Sequence, residues 1–328
     1  MHRRDFVKSA AAAALIVSLE QKVTFATNSG RIPYRVLGHT GEKVSLLGIG
    51  GYHIGQRFVL KSTAIQIVRT ALDSGVNFLD NCWDYNDGLS EERMGEALRD
   101  GYRDKAFLMT KVNGRTAQSA SQQLDQSLQR LQTDHLDLIQ MHAIGRMDEA
   151  EQVFAPDGAV EALVRAKKAG KVRYIGFTGH TNPKIHIHML ELADQRGFVF
   201  DSVQMPLNVM DAHFNSFGSG VLPVLTKKNI GILGMKAMGD KSILKSKTVT
   251  PVECLKFSMN LPLSVCITGC DSMAILQQAL DVVRNFKPLT HEEVTAILTK
   301  TEAAAASGLY EWYKGSAYIR GADNTRQS

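Results

Sequence analysis

From residue 44 onward, short apolar runs alternate with longer stretches whose apolar residues recur every three or four positions. The runs fall at residues 44–48, 76–80, 107–111, 136–141, 172–177, 202–205, 230–235 and 264–268, each of strand length. Between them, residues 117–131, 160–169, 184–196 and 272–283 read as amphipathic helices. Strands alternating with helices of this length pair in parallel through crossovers. Eight such units without a long break predict an α/β fold closed into a single (β/α)8 barrel over residues 31–290. An open doubly wound sheet would want a Gly-x-Gly-x-x-Gly turn between its first strand and helix. Gly48, Gly50, Gly51 and Gly55 do not provide that spacing.

Helix boundaries agree with this pattern. Pro156-Asp157-Gly158 opens one helix, and Lys167-Lys168-Ala169-Gly170 closes it with cations and a glycine where the dipole and a left-handed turn favour them. Asn182-Pro183 opens the next. Residues 291–328 form a C-terminal extension, with an alanine-rich helix expected over 292–312 and a polar tail after it.

The N-terminus departs from the rest. Arg3-Arg4-Asp5-Phe6-Val7-Lys8 precedes ten weakly apolar residues and then Thr24-Phe25-Ala26. A basic start, a short apolar run and small residues near a cut are the parts of an export signal. The paired arginines resemble a twin-arginine signal, read by the machinery that exports folded proteins. Residues 1–26 are therefore expected to be a signal peptide and the protein to be periplasmic, the alternative being a retained helix on a cytoplasmic protein. Cleavage would remove Arg3, Arg4, Lys8 and Lys22 together with Asp5 and Glu20, lowering the net charge from +5 to +3. So mild a positive balance gives no reason to expect nucleic acid, although it suits a phosphate-bearing cofactor. Composition, 44% hydrophobic and 22% charged, is that of a globular chain. Cys82, Cys254, Cys266 and Cys270 show no metal-finger spacing and read as buried thiols, with a Cys266–Cys270 disulfide permitted by export.

Chemistry-bearing residues cluster at the ends of the apolar runs. Asp80, Lys111 and His142 each stand where a run finishes, and Tyr85 follows the first of them. In an α/β barrel, the C-terminal strand ends converge on one mouth. A tyrosine, with a reference pKa of about 10, is a poor acid at neutral pH, and a nearby ammonium favours its phenolate. Lys111 can supply that ammonium, a carboxylate can keep it charged, and His142 can hydrogen-bond a substrate oxygen. On the residues alone, Asp84 is as good a carboxylate as Asp80.

The stretch Gly75-Val76-Asn77-Phe78-Leu79-Asp80, then Tyr85, then Ser90-Glu91-Glu92-Arg93-Met94-Gly95, resembles the signature of the aldo-keto reductase superfamily. The resemblance extends over about residues 31 to 285, through Arg35-Val36-Leu37-Gly38 to the last apolar run. It implies a TIM barrel, an NAD or NADP cofactor, and reduction of an aldehyde, ketone or sugar carbonyl. Within it, Asp80, Tyr85, Lys111 and His142 are the catalytic residues. Gly51, Tyr52, Thr178, Gln204, Met235, Lys236, Gly269 and Ser272 are expected along the cofactor, with Asn208 following Gln204. Gly179 stands where the family often has asparagine, Met235 where it usually has tyrosine, and Ser272 where relatives place Arg or Lys. These departures motivate an alternative reading, a weakly catalytic nicotinamide-binding partner subunit. No metal is expected, since His186 and His188 point about 200° apart on a helix and read as solvated. Trp83 and Trp312 either line the pocket or pack. Oligomeric state is open.

Overall fold

The structure, a computed structural model, describes residues 31–315. The export segment and the polar tail expected from the sequence lie outside the described residues. Two short antiparallel strands, β1 (Tyr34–Val36) and β2 (Lys43–Ser45), come first. Eight parallel strands follow: β3 (Leu47–Gly50), β4 (Phe78–Asp80), β5 (Phe107–Val112), β6 (Leu136–Met141), β7 (Val172–Thr178), β8 (Ser202–Pro206), β9 (Gly231–Met235) and β10 (Val265–Gly269). β10 pairs with β3 from Cys266↔Leu47 to Gly269↔Gly50, which closes the barrel.

Two apolar layers hold it. Inside, Phe78, Phe107, Met109, Leu138, Leu233, Val265 and Ile267 pack with Leu37 and Val44, so the hairpin plugs the end opposite the rim that carries Asp80 and Lys111. Outside, strand residues such as Ile49, Leu79, Leu108, Ile139, Ile175 and Val203 pack against the helices. Burial on both faces explains the near-continuous apolar runs, which lack the alternation of a half-exposed strand.

The run at 44–48 is not one strand. The chain leaves the hairpin after Ser45 and enters the barrel at Leu47, because Val44 is needed in the plug while Leu47 begins the pairing to β10. The C-terminal helix is also shorter than expected, spanning His291–Ala305. Gly308 takes a left-handed conformation (φ +70°), its amide donates to the Ala305 carbonyl, and a separate 3₁₀ helix, Leu309–Lys314, follows. All four cysteines are buried and free, so the permitted Cys266–Cys270 disulfide is not formed. Among the described residues, no helix is long and apolar enough to cross a membrane.

Candidate active site

β4 and β5 run side by side, with Asp80 opposite Met109; β4 ends on Asp80 and β5 carries Lys111 one residue before its end, at the same rim. Lys111 is 1% exposed and Asp80 3% exposed; neither could sit there charged without a partner. The Lys111 ammonium pairs with Asp80 Oδ1, donates to the Asn81 carbonyl at 2.7 Å, and stands 3.4 Å from the Tyr85 hydroxyl. The second Asp80 oxygen accepts from Gln204 Nε2 at 3.0 Å. Both carboxylate oxygens are thus satisfied, and the spare capacity of the ammonium is turned towards the phenol. Asp80, rather than Asp84, is the lysine's counter-ion.

His142 follows β6, with its ring edge-on to Tyr85 at 5.7 Å between centroids. Its Nδ1 lies 2.7 Å from Asn113 Oδ1, 3.2 Å from Cys82 Sγ and 3.6 Å from Asp84 Oδ2. Asn113 Nδ2 donates to Asp84 Oδ2 at 2.7 Å, so its carbonyl oxygen faces the ring and can only accept. Nδ1 therefore carries the hydrogen. Burial pushes the His142 pKa down against the pull of Asp84, leaving a neutral ring with Nε2 as acceptor. Burial would raise the Asp84 carboxyl, but His142, Asn113 and Cys82 together hold it well below the usual carboxylate range. Cys82, Asp84 and Asn113 went unassigned in the sequence as neighbours of His142. The one available cue was Asn113, a polar residue two positions beyond Lys111.

The expected cofactor residues divide into those that face the mouth and those committed elsewhere. Tyr52 is edge-on to Tyr85 at 5.4 Å. Thr178 ends β7 and pairs with Gln204 in the middle of β8. Thr178 Oγ1 and Gln204 Oε1 are buried and, among the described residues, have no hydrogen-bond partner. An orphaned hydroxyl and an orphaned amide oxygen side by side suit a carboxamide, so the residues present fit a nicotinamide. Met235 ends β9, and the Lys236 ammonium lies 4.9 Å from the Tyr313 ring centroid and 5.7 Å from that of Trp312. Burial lowers its pKa to about 8. Gly51 is buried with the Asn81 side chain packed where a Cβ would be. His53 likewise fills the space above Gly269 and bonds Asp240 at 3.1 Å. Ser272 caps the helix Met273–Arg284 through the Ile275 amide, next to an Asp271–Lys241 ion pair.

Two expectations change, for Asn208 and His186, and the open choice at Trp83 falls to packing. Asn208 donates to Glu311 and Tyr313 and accepts from the Met210 and Asp211 amides, so it ties the tail down. His186 is not solvated: it is 1% exposed and packs between Phe177 and Phe217. Trp83 donates to Gln126 at 2.6 Å and packs under Arg130. The Trp312 ring lies edge-on to Tyr313 at 5.8 Å and 5.7 Å from the Lys236 ammonium. Gly179 also acquires a reason. A Cβ there would stand 2.6 Å from the Ile144 carbonyl oxygen and 2.8 Å from the His186 ring.

The sequence profile of the aldo/keto reductase family matches residues 46–254, which span β3 to β9 and the four catalytic candidates. The chain belongs to this family. L-galactose dehydrogenase of Arabidopsis thaliana is 35% identical over 162 residues, 45% of this chain and 49% of the relative. An aldo-keto reductase of Bacillus subtilis is 32% identical over 157 residues, 44% of this chain and 46% of the relative. The chain spans about half the length of the curated relatives it matches. Among solved structures, the holo form of an aldo-keto reductase from Bacillus halodurans superposes with a TM-score of 0.69 at 22% identity, covering 87% of this chain and 100% of that one. That likeness concerns the barrel.

Proposed function

We propose that this aldo/keto reductase family member is an NAD- or NADP-dependent oxidoreductase. It moves a hydride between the nicotinamide and the carbonyl of a small aldehyde, ketone or sugar, with Tyr85 as general acid/base. The observation that carries this reading is the Lys111 ammonium, clamped by Asp80 and Asn81 and offered to the Tyr85 hydroxyl at 3.4 Å. When bound, the nicotinamide supplies or receives the hydride. Thr178 Oγ1 and Gln204 Oε1 would hold its carboxamide, and Lys236 would meet a phosphate. In reduction, Tyr85 gives its proton to the carbonyl oxygen, and the ammonium beside it stabilises the phenolate left behind. The His142 ring, edge-on to Tyr85 at 5.7 Å, borders the place the substrate oxygen takes beside the phenol and limits how it can sit there. Tyr85→Phe is expected to abolish turnover on a carbonyl panel while dinucleotide binding, followed by fluorescence, survives. Unchanged turnover would end the assignment.

The sugar-acting relative motivates a sugar carbonyl as the first substrate class to try. Residues 1–26 support export of a folded protein through the twin-arginine machinery, with the cofactor loaded before transport and held tightly. Native mass spectrometry of protein from its producing cell is expected to show loss of about the first 26 residues and a retained dinucleotide. A full-length, dinucleotide-free protein would count against both.

A further inference from the structure

Tyr85 stands at the head of a strained turn. Asn86, Asp87 and Gly88 follow it in successive left-handed conformations, with φ of +54°, +59° and +90°. Such a run persists only where the surroundings over-determine it, and there it fixes how the turn presents its side chains. The constraint comes from Arg130, near the end of the helix Ala117–Leu131. Its guanidinium donates to the Trp83 carbonyl at 2.8 Å, two residues before Tyr85. Three residues after Tyr85 it lies so close over Gly88 that a Cβ there would stand 2.5 Å from Arg130 Cζ. Both flanks of the phenol-bearing turn rest on one side chain.

Glu91, fully buried, holds the arginine in turn. One of its oxygens lies 3.4 Å from Arg130 Nη1, and the other accepts from the Thr110 hydroxyl at 2.5 Å. Thr110 precedes Lys111 on β5, and the Trp83 amide donates to the Lys111 carbonyl at 3.0 Å. Lys111, Thr110, Glu91, Arg130 and Trp83 thus close a ring around the 3.4 Å separation between ammonium and phenol. We propose that Arg130, braced by Glu91, is a positioning residue that sets the Tyr85 hydroxyl against the Lys111 ammonium. Its effect on turnover rests on the catalytic reading of Tyr85; its effect on the phenol does not.

Tyrosines of the full chain labelled with carbon-13 at Cζ report the ionisation of each phenol, and Tyr85→Phe identifies the Tyr85 signal. In Arg130→Met that signal is expected to titrate at higher pH than in the wild type, because the phenol draws away from the ammonium that favours its anion. On the carbonyl panel, kcat should fall by about 10- to 100-fold, since a misplacement of about 1 Å is enough for the larger loss. KM and dinucleotide binding should stay near their wild-type values. Arg130→Lys keeps a cation beside Glu91 and protects the fold, but it lacks the planar fork; it should shift the titration the same way by less. A Tyr85 titration left at the wild-type pH in both arginine variants overturns the proposal. So does a loss of dinucleotide binding as large as the loss of kcat, which marks a general loosening of the barrel. A shifted titration with unchanged turnover upholds the positioning role and removes Tyr85 from the catalytic step.

Discussion

Lys111 and Asp80 serve both stability and chemistry at a single pair of residues. Removing one partner strands a charge in a site a few per cent exposed, which costs about 3–5 kcal/mol, whereas replacing both with apolar groups is often neutral. Lys111→Met is therefore expected to unfold at markedly lower urea concentration, while Lys111→Met with Asp80→Leu recovers much of that loss. Neither should turn over substrate. A double variant as unstable as the single one would show that the pair is not the source of the effect. Lys236 gives a pH prediction at the same scale. Its pKa of about 8 rises when an anion binds beside it, so the attraction is complete below pH 8 and fades above it. Dinucleotide affinity should fall as pH climbs past about 8 in the wild type, and Lys236→Met should flatten that profile. Position 179 is limited by space: Gly179→Ala must push the Ile144 carbonyl or the His186 ring aside, at about 1–3 kcal/mol in an unfolding titration.

The element whose behaviour was least legible is the C-terminal one. An alanine-rich sequence favours continued helix, and only Gly308 marks the stop, through a left-handed turn that glycine takes at low cost. What draws the chain into the 3₁₀ helix beyond it is a buried polar cluster. The Lys314 ammonium pairs with Asp211 at 2.7 Å and Glu311 at 3.0 Å, and Asn208 bonds both Glu311 and Tyr313. Asp211 and Asn208 lie 103 residues or more from their partners in this 3₁₀ helix, so no local pattern reveals them. Lys314→Met should leave two carboxylates poorly matched, destabilise by about 3–5 kcal/mol, and loosen Tyr313 from Lys236. Hydrogen exchange in Leu309–Lys314 that stays as slow as in the wild type would refute this. The barrel strands behave differently. Apart from the first, whose run at 44–48 straddles the hairpin and β3, their runs are legible in the sequence to within a residue or two, because burial on both faces leaves an apolar signature that survives without knowledge of the partners.

Across the whole molecule, acid sensitivity follows from what the barrel encloses. Burial lowers the His186 pKa to about 4, so below its ordinary value of about 6.5 the unfolded chain takes up a proton that the folded one refuses. Stability should be full above about pH 6.5 and decline towards pH 4, by about 3 kcal/mol from this group, and His186→Phe should shrink that decline in urea titrations at the two pH values. Strand–helix alternation, the eight units, and the three residues at strand ends with Tyr85 just after the first were set by the sequence, because periodicity and strand termini are local properties. Closure of the barrel then turned those separate ends into one rim. Which carboxylate serves the lysine, which neighbours fix the imidazole hydrogen, and why residue 179 must be glycine depended on distances between strands. Such distances arise only when residues tens of positions apart are packed to van der Waals contact, and for that reason they belong to the tertiary structure alone.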